Sequence, residues 1–334
     1  MSDTFGYFGR RFINLLIVIW IAGSLNFVIP RLMPGDPIQS AFTAMAVQGA
    51  RADDLEKLRV SYNKTLGLDA PMIVQYAYYW AGISKLDFGI SIVKYPIPVS
   101  KVIGYAIPWT IGLLGVSVII SFVFGTLLGA YLAWPKPPLL LRIFAPLFLV
   151  LSAMPFYLLA IVMIATFAIW LRLFPPAGGF SPSLVRGWNM KTVIDIGYHA
   201  MLPALTIILG SIGGWALGMR ATTIGVLGED FILYAQAKGL SPLRIFLRYG
   251  LRNSLLPQVT ALALAMGSVV SGSVLVEGIF SYPGLGGLLF KSIVAKDIFV
   301  VNGIVTILII MLSVSVFVID LIPPILDPRI RSGR

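Results

Sequence analysis

Cysteine is missing from this 334-residue sequence, and His199 is its lone histidine. Disulfides and thiolate nucleophiles are excluded with it, and so are most zinc sites, which need about four clustered Cys, His or carboxylate ligands. Charge is scarce as well: Asp, Glu, Lys and Arg make up 12% of the chain, against about 25% in a typical soluble domain. No segment matches GxxxxGK followed by Ser or Thr, the loop whose backbone cradles nucleotide phosphates. The nearest Lys-Ser pair, Lys291-Ser292, follows Phe290 where that pattern requires Gly. The apolar runs also lack paired carboxylates, which leaves an embedded enzyme without an acid and a base. Nucleotide binding by the chain itself is therefore not expected.

What is abundant is apolar side chain, at 58% of residues, and this places the chain among integral membrane proteins. The net charge of +11 comes from Lys and Arg scattered beside apolar runs, a pattern of membrane-flank anchoring and not of nucleic-acid binding. The run from Phe12 to Pro30 follows Arg10 and Arg11, as a signal peptide would. Its length of about one bilayer and the lack of an A-x-A type site predict a retained first span.

Windows long enough to cross about 30 Å of hydrocarbon lie near 12–30, 107–133, 143–171, 202–222, 259–280 and 301–323, which predicts an all-α protein with about six spans. An inside N-terminus puts Arg10, Arg11, Arg220, Lys238, Arg244, Arg248, Arg252 and the C-terminal arginines in the cytoplasm, leaving Arg172, Arg186, Lys191, Lys291 and Lys296 in short outer loops. That asymmetry satisfies the positive-inside rule. The long outer segment from Arg31 to Tyr105 carries polar helix-forming sequence and an aromatic run, Tyr76, Tyr78, Tyr79 and Trp80. Those aromatics read as an interfacial belt or as contacts for a docked partner.

Several residues shape the membrane part. Pro155 lies inside an apolar run, where a missing N–H and a clash with the preceding turn predict a kink; Ser152, Met154 and Phe156 are candidates to line a pathway bent around it. Gly210, Gly214 and Gly218 recur every fourth residue and predict a groove for close helix approach. The fifth window carries Gly267, Ser268, Ser271, Gly272 and Ser273 before Glu277, either a packing surface or a polar wall. Glu277 reads as an interfacial carboxylate held by Tyr282 or backbone groups, or as a substrate contact. Asp320 reads as a cap or ion-pair partner. The outer loop from Pro175 to Ile196, with Gly178-Gly179-Phe180, has no role assigned by its pattern.

Between Glu229 and Pro257 a basic amphipathic stretch interrupts the apolar chain. Glu229 and Asp230 begin, and Lys238 ends, a short helix matched to its macrodipole, with Gly239 terminating it. Ser241-Pro242 can start a second helix, with Arg244, Arg248 and Arg252 on one side and Leu243, Phe246, Leu247, Leu251 and Leu255 on the other. Ala235, Ala237 and Gly239 would then form a slim tip suited to a cleft on another protein. A surface helix held on anionic lipid by its arginines fits the same pattern.

Tyr234-Ala235-Gln236-Ala237-Lys238-Gly239-Leu240, followed by Arg252-Asn253 and Leu256-Pro257, resembles the EAA loop of ABC importer permeases. More narrowly, the chain resembles the B-type permease subunit of dipeptide and oligopeptide importers. The likeness continues through Leu32 to Pro37, Leu66 to Asp69 with Gln75-Tyr76, Asp87-Phe88-Gly89, Pro108-Trp109-Thr110, Ser152 to Phe156, Leu202 to Leu205, Glu277 to Gly286 and Asp327 to Arg331.

The resemblance implies a type I ABC importer fold: a first helix over 1–30, an extracytoplasmic segment over 31–106, and a core permease domain over 107–334 with a coupling loop at 225–258. It implies ATPase coupling through Glu229, Asp230, Tyr234, Ala235, Ala237, Lys238, Gly239 and Leu240, and a pathway near Ser152, Met154, Phe156, Ser271, Ser273 and Glu277. The implied partners are a second homologous permease, two cytoplasmic ABC ATPases that hold ATP and Mg, an extracytoplasmic substrate-binding protein and membrane lipids. No cofactor is implied for this chain. The leading acid-Ala-Ala of the loop is reduced here to Tyr234-Ala235-Gln236-Ala237, so the Ala and Gly positions carry over better than the name-giving Glu. Peptide is the default cargo, with oligosaccharides and metal chelates as alternatives. An ion-coupled secondary transporter is the rival of another class, and it would need midplane acids that are scarce here; a channel is the remaining one.

Overall fold

The computed structural model describes residues 2–32, 46, 53, 55–57, 60, 70–134, 137, 139–182, 187, 189–272 and 274–326. In chain order its helices are α1 (Ser2–Leu32), α2 (Met72–Ser84), α3 (Val99–Leu132), α4 (Leu139–Ala153), α5 (Phe156–Met163, continued by a π-helical stretch, Ile164–Trp170) and α6 (Met190–Leu227). They continue with α7 (Asp230–Ala237), α8 (Pro242–Ile245, continued by a π-helical stretch, Phe246–Leu251), α9 (Arg252–Gly272), α10 (Val274–Ile279), α11 (Leu285–Val294) and α12 (Ile298–Leu326). The described residues contain an isolated β-bridge, Ile90 with Pro98, and no named strand.

Helix lies in each of the six predicted windows, but among the described residues four helices, or five counting a bent pair in the third window, are long and apolar enough to span. Phe8–Ile29 of α1, Val99–Leu132, Met190–Leu227 and Ile298–Val318 of α12 are each long and apolar enough to cross a membrane. At about 1.5 Å per residue the 38 residues of α6 extend about 57 Å, well beyond about 30 Å of hydrocarbon. The third window departs from a simple kink. Ala145–Ala153 and Phe156–Trp170 form a pair bent by 113°, and Met154 and Pro155 belong to neither helix. Pro155 stands at the N-cap position of α5 with φ −55 and ψ 138, its carbonyl accepting from Leu158 N–H at 3.0 Å. A proline pushes the residue before it out of the α region, so the run stops and restarts.

The chain divides into two compact units, Met1–Thr110 with Pro283–Phe317, and Ile111–Tyr282 with Val318–Arg334. In the first, the aromatic run packs inward. Tyr76 and Tyr79 both lie 5.3 Å from the buried Phe27 ring of α1, and Trp80 covers Gly23, where a Cβ would come within 2.7 Å of the indole. Asn26 donates to Thr306 Oγ1 at 3.1 Å and to the Asn302 carbonyl at 3.2 Å, joining α1 to α12. Tyr78 alone of the four faces outward. Buried Asp297 accepts from Val300 N–H at the start of α12, and from Ser91 Oγ and Val93 N–H, which pins the 91–98 turn.

The second unit is organised around α6, on which α4, α5, α9 and α10 pack. Its contact with α3 is closer than side chains would allow. A Cβ on Gly125 would lie 2.5 Å from Trp215 Cβ, and one on Gly129 would collide with the Ala216 carbonyl. The expected groove at Gly210, Gly214 and Gly218 is used differently: Phe156 covers Gly210, Gln258 sits beside Gly218, and Gly214 faces open space. Glycine at 125 and 129 is what lets the two backbones touch. Gly129→Ala should therefore lower stability by about 1–3 kcal/mol through overpacking. Gly214→Ala should leave it unchanged or raise it by about 0.4–1 kcal/mol. Thermal unfolding of the two variants in detergent, followed by tryptophan fluorescence, checks the contrast.

Candidate functional site

The Glu229 to Pro257 stretch folds as the predicted helix pair, with caps that explain its termini. Glu229 takes the extended N-cap conformation and Asp230 sits in the first turn of α7, where negative charge faces the positive end of the helix dipole. At the other end Gly239 adopts φ +73. Its N–H donates to the Gln236 carbonyl at 2.8 Å and Leu240 N–H donates to the Ala235 carbonyl at 3.3 Å. Those are the two bonds of a Schellman cap, which glycine accommodates without a Cβ penalty. Ser241 stands at the N-cap position and Pro242 at the first position of α8, although the Ser241 side chain makes no capping bond.

Which faces are buried differs from the expectation. Ala235, expected at a slim tip, is 4% exposed and packs with Ile232 and Ile245, flanked by Leu227 and Leu240. Three residues after Ile232, it shares that helix stripe. Glu229, Asp230, Ala237, Lys238 and Gly239 are exposed, Leu240 is half-buried, and Tyr234 is 71% exposed. The outward face is therefore bulky, with Phe231 and Leu233 beside Tyr234. In the second helix Arg244, Arg248 and Arg252 are exposed as expected, but so are Leu243 and Leu247, whereas Ile245 and Phe246 are buried. The π-helical stretch from Phe246 to Leu251 inserts an i→i+5 step that shifts the apolar stripe. Regular 3.6-residue spacing could not reveal that shift.

At the bent span, Ser152 makes an unusual link. Its Oγ accepts from Gly213 N–H at 2.7 Å and donates to the Leu209 carbonyl at 3.2 Å. Those two backbone groups are i and i+4 partners of α6, so Ser152 bonds to both ends of one rung of the helix ladder. Gly213, which the fourfold glycine spacing passes over, is required here: a Cβ would come 2.5 Å from Ser152 Oγ. Met154 and Phe156 are half-buried, with the Phe156 ring over Gly210. Ser271 lies on α9, and Ser273 is outside the described residues. Glu277 is fully buried in α10. Beyond that helix, burial and secondarily the Glu277 charge push the Tyr282 phenol up to about 12, so Tyr282 keeps its proton under physiological conditions.

The loop following the π-helical end of α5 is tied down. Gly178, at φ +95, donates to the Phe280 carbonyl at 2.8 Å. Asp195 accepts from the N–H and hydroxyl of Ser181, and the Tyr198 hydroxyl donates to the Leu173 carbonyl. Buried His199 engages the Asp195 carbonyl through Nδ1 at 2.9 Å. Among the described residues no group of three or more His, Asp or Glu is arranged to hold a metal ion. Gly239→Val should strain the left-handed cap by about 1–2 kcal/mol and fray the end of α7, while Gly239→Asn should keep it. Faster tryptic cleavage after exposed Lys238 in the valine form, with asparagine close to the unsubstituted rate, is the expected result.

Residues 125–332 match the family described as binding-protein-dependent transport system inner membrane component. Three similar proteins extend the match along the chain. The dipeptide transport system permease protein DppB of Bacillus subtilis is 31% identical over 326 residues, covering 97% of each chain. The oligopeptide transport system permease protein AppB of the same organism is 31% identical, covering 97% of this chain and 98% of that one. The oligopeptide transport system permease protein OppB of Mycobacterium tuberculosis H37Rv is 30% identical over 336 residues, again covering 97% and 98%. The long apolar helices, the absence of named strands among the described residues and this match agree on an all-α, multi-pass membrane protein with the type I ABC importer permease fold. The chain belongs to the family of binding-protein-dependent transport system inner membrane components, and is a transport subunit and not an enzyme.

Proposed function

We propose that the chain forms half of the passage of an ATP-driven peptide importer, paired with a second related permease. Two cytoplasmic ATPases hold ATP and Mg, and a binding protein delivers the cargo from outside. The names of its relatives, which speak of dipeptide and oligopeptide transport, support peptide as the cargo class. Both termini lie in the cytoplasm in this reading, consistent with the basic flanks of the spans. Residues 31–106 form the outer segment, and 107–334 carry the core with its coupling loop at 225–258.

The observation that carries the proposal is the two-sided mounting of α7. Its inner face is locked by Ile232 and Ala235, its end is closed by Gly239, and its outer face presents Glu229, Asp230, Tyr234, Ala237 and Lys238. A helix held rigidly on one side and open on the other can follow a partner's motion without unfolding. Closure of the ATPases on nucleotide moves α7, and the spans change their access. Such an equilibrium shifts only by the difference in affinity for its two states, so a slack loop would waste the coupling. Within the passage, Ser152, Met154, Phe156, Ser271 and Ser273 are the wall candidates, while Glu277 supports it from a buried position.

The chain has no native cysteine, so Lys238→Cys gives this subunit a unique attachment point. In native membranes it should cross-link to an ATPase subunit, and Gly239→Trp should lower ATP-dependent uptake of a labelled tripeptide about tenfold or more. Absence of the cross-link together with normal uptake in the tryptophan form would remove the coupling role. Uptake driven by an ion gradient without ATP would favour a secondary transporter. Competition by an oligosaccharide or a metal chelate, but not by di- or tripeptides, would reassign the cargo.

A further inference from the structure

Two apolar clusters meet at Leu227, the last residue of α6. The first lies under α7 and contains Ile232, Ala235 and Ile245, with Leu240 against it. The second contains Ala130 of α3, Met219 of α6 and Phe246, with Trp134, Leu251 and Leu255 against it. Leu227 packs on both. Among the described residues it is the one member of the α7 cluster that comes from a long apolar helix. The other link is covalent. Ile245 and Phe246 are consecutive, yet each enters a different cluster. The wide turn starts at Phe246, and its Gly250 presses on Leu227, where a Cβ would lie 3.1 Å from Cδ2.

Trp134 completes the contact. It follows α3, in a turn closed by its N–H donating to the Tyr131 carbonyl at 3.1 Å. Its ring meets Phe246 edge-on, with centroids 4.6 Å apart and planes at 88°, the favoured geometry for aromatic pairs. Close-packed contacts of this kind transmit displacement because protein interiors compress little.

We propose that Leu227, Phe246 and Trp134 are positioning residues that carry the movement of α7 to the ends of α3 and α6. This rests on the coupling role of α7 proposed above. The wide turn serves the arrangement by letting two successive side chains, Ile245 and Phe246, enter two clusters with no residue between them along the chain. Trp134 then pushes on α3 and Leu227 pulls on α6, whose backbones already touch at Gly125 and Gly129.

The test uses the intact assembly purified through this chain from its native membrane and reconstituted in nanodiscs. A cysteine at exposed Lys238 reports docking by cross-linking to an ATPase. In a second preparation, an environment-sensitive fluorophore on a cysteine at exposed Leu217 reports movement of α6 when nucleotide is added, with no need to know the cargo. Trp134→Ala and Phe246→Ala should leave the cross-link yield unchanged and reduce the nucleotide-driven fluorescence shift about tenfold. Trp134→Phe, which keeps an aromatic edge, should restore most of it. The double alanine form should lose no more than the worse single form, because both act through one contact. Phe246→Leu keeps apolar bulk without the ring, and it gives a partial loss of the shift even where the alanine forms do not assemble. A full-sized shift in the alanine forms, or in Phe246→Leu where those do not assemble, would overturn the proposal; so would loss of cross-link and shift together, which marks a merely structural role. Failure of Lys238→Cys without further substitution to cross-link would instead remove the coupling role of α7 itself.

Discussion

Backbone contact between α3 and α6 is the constraint on which the second unit depends. In lipid, apolar side chains gain little by leaving one apolar surface for another, so helices associate through close packing and polar contacts. Gly125 and Gly129 supply the close packing, since any side chain there would collide with Trp215 Cβ or the Ala216 carbonyl. On another side of α6, Ser152 supplies the polar contact by bonding to both the Leu209 carbonyl and the Gly213 N–H. Both devices consume positions that carry no bulk, and both put rigid elements against the longest helix of the chain.

That rigidity gives the loop from Glu229 to Pro257 its mechanical interest. The Schellman cap at Gly239 stops α7 sharply, and the cluster of Ile232, Ala235 and Ile245 holds it in one orientation. The wide turn after Ile245 then passes directly into the cluster around Phe246 and Met219. A docking helix mounted on flexible linkers would bind a partner equally well but move nothing else. Membership in a family of binding-protein-dependent transport components makes such a mount intelligible, because the energy source in an importer of this kind lies on other subunits.

Features written in short segments were legible. Gly239 as a helix stop and Ser241-Pro242 as a helix start act through neighbouring backbone groups, and each stands where local chemistry put it, while the kink expected at Pro155 is a full break at that residue. The fold class and the family were legible too, the first from long apolar runs and the second from a series of motifs in order. Features that depend on a distant neighbour were not. The aromatic run Tyr76 to Trp80 read as a membrane belt or partner contact, but three of its four rings close on Phe27 and Gly23 of α1. Fourfold spacing pointed to Gly210, Gly214 and Gly218, whereas the tightest approach uses Gly125 and Gly129 from another helix.

By itself, the sequence determined that this is a helical membrane protein, because hydropathy and the scarcity of charge are properties of composition and order. It also determined where the helix pair between Glu229 and Pro257 begins and ends, since caps are chosen by the residues that form them. Only the tertiary structure decided which way those helices face. Ala235 turns inward, Tyr234 turns outward, and Leu243 and Leu247 leave the buried stripe, which Ile245 joins beside the expected Phe246. The physical reason is that burial belongs to pairs of surfaces: one extra residue in a turn rotates a face, and only the opposing helix determines which rotation is filled.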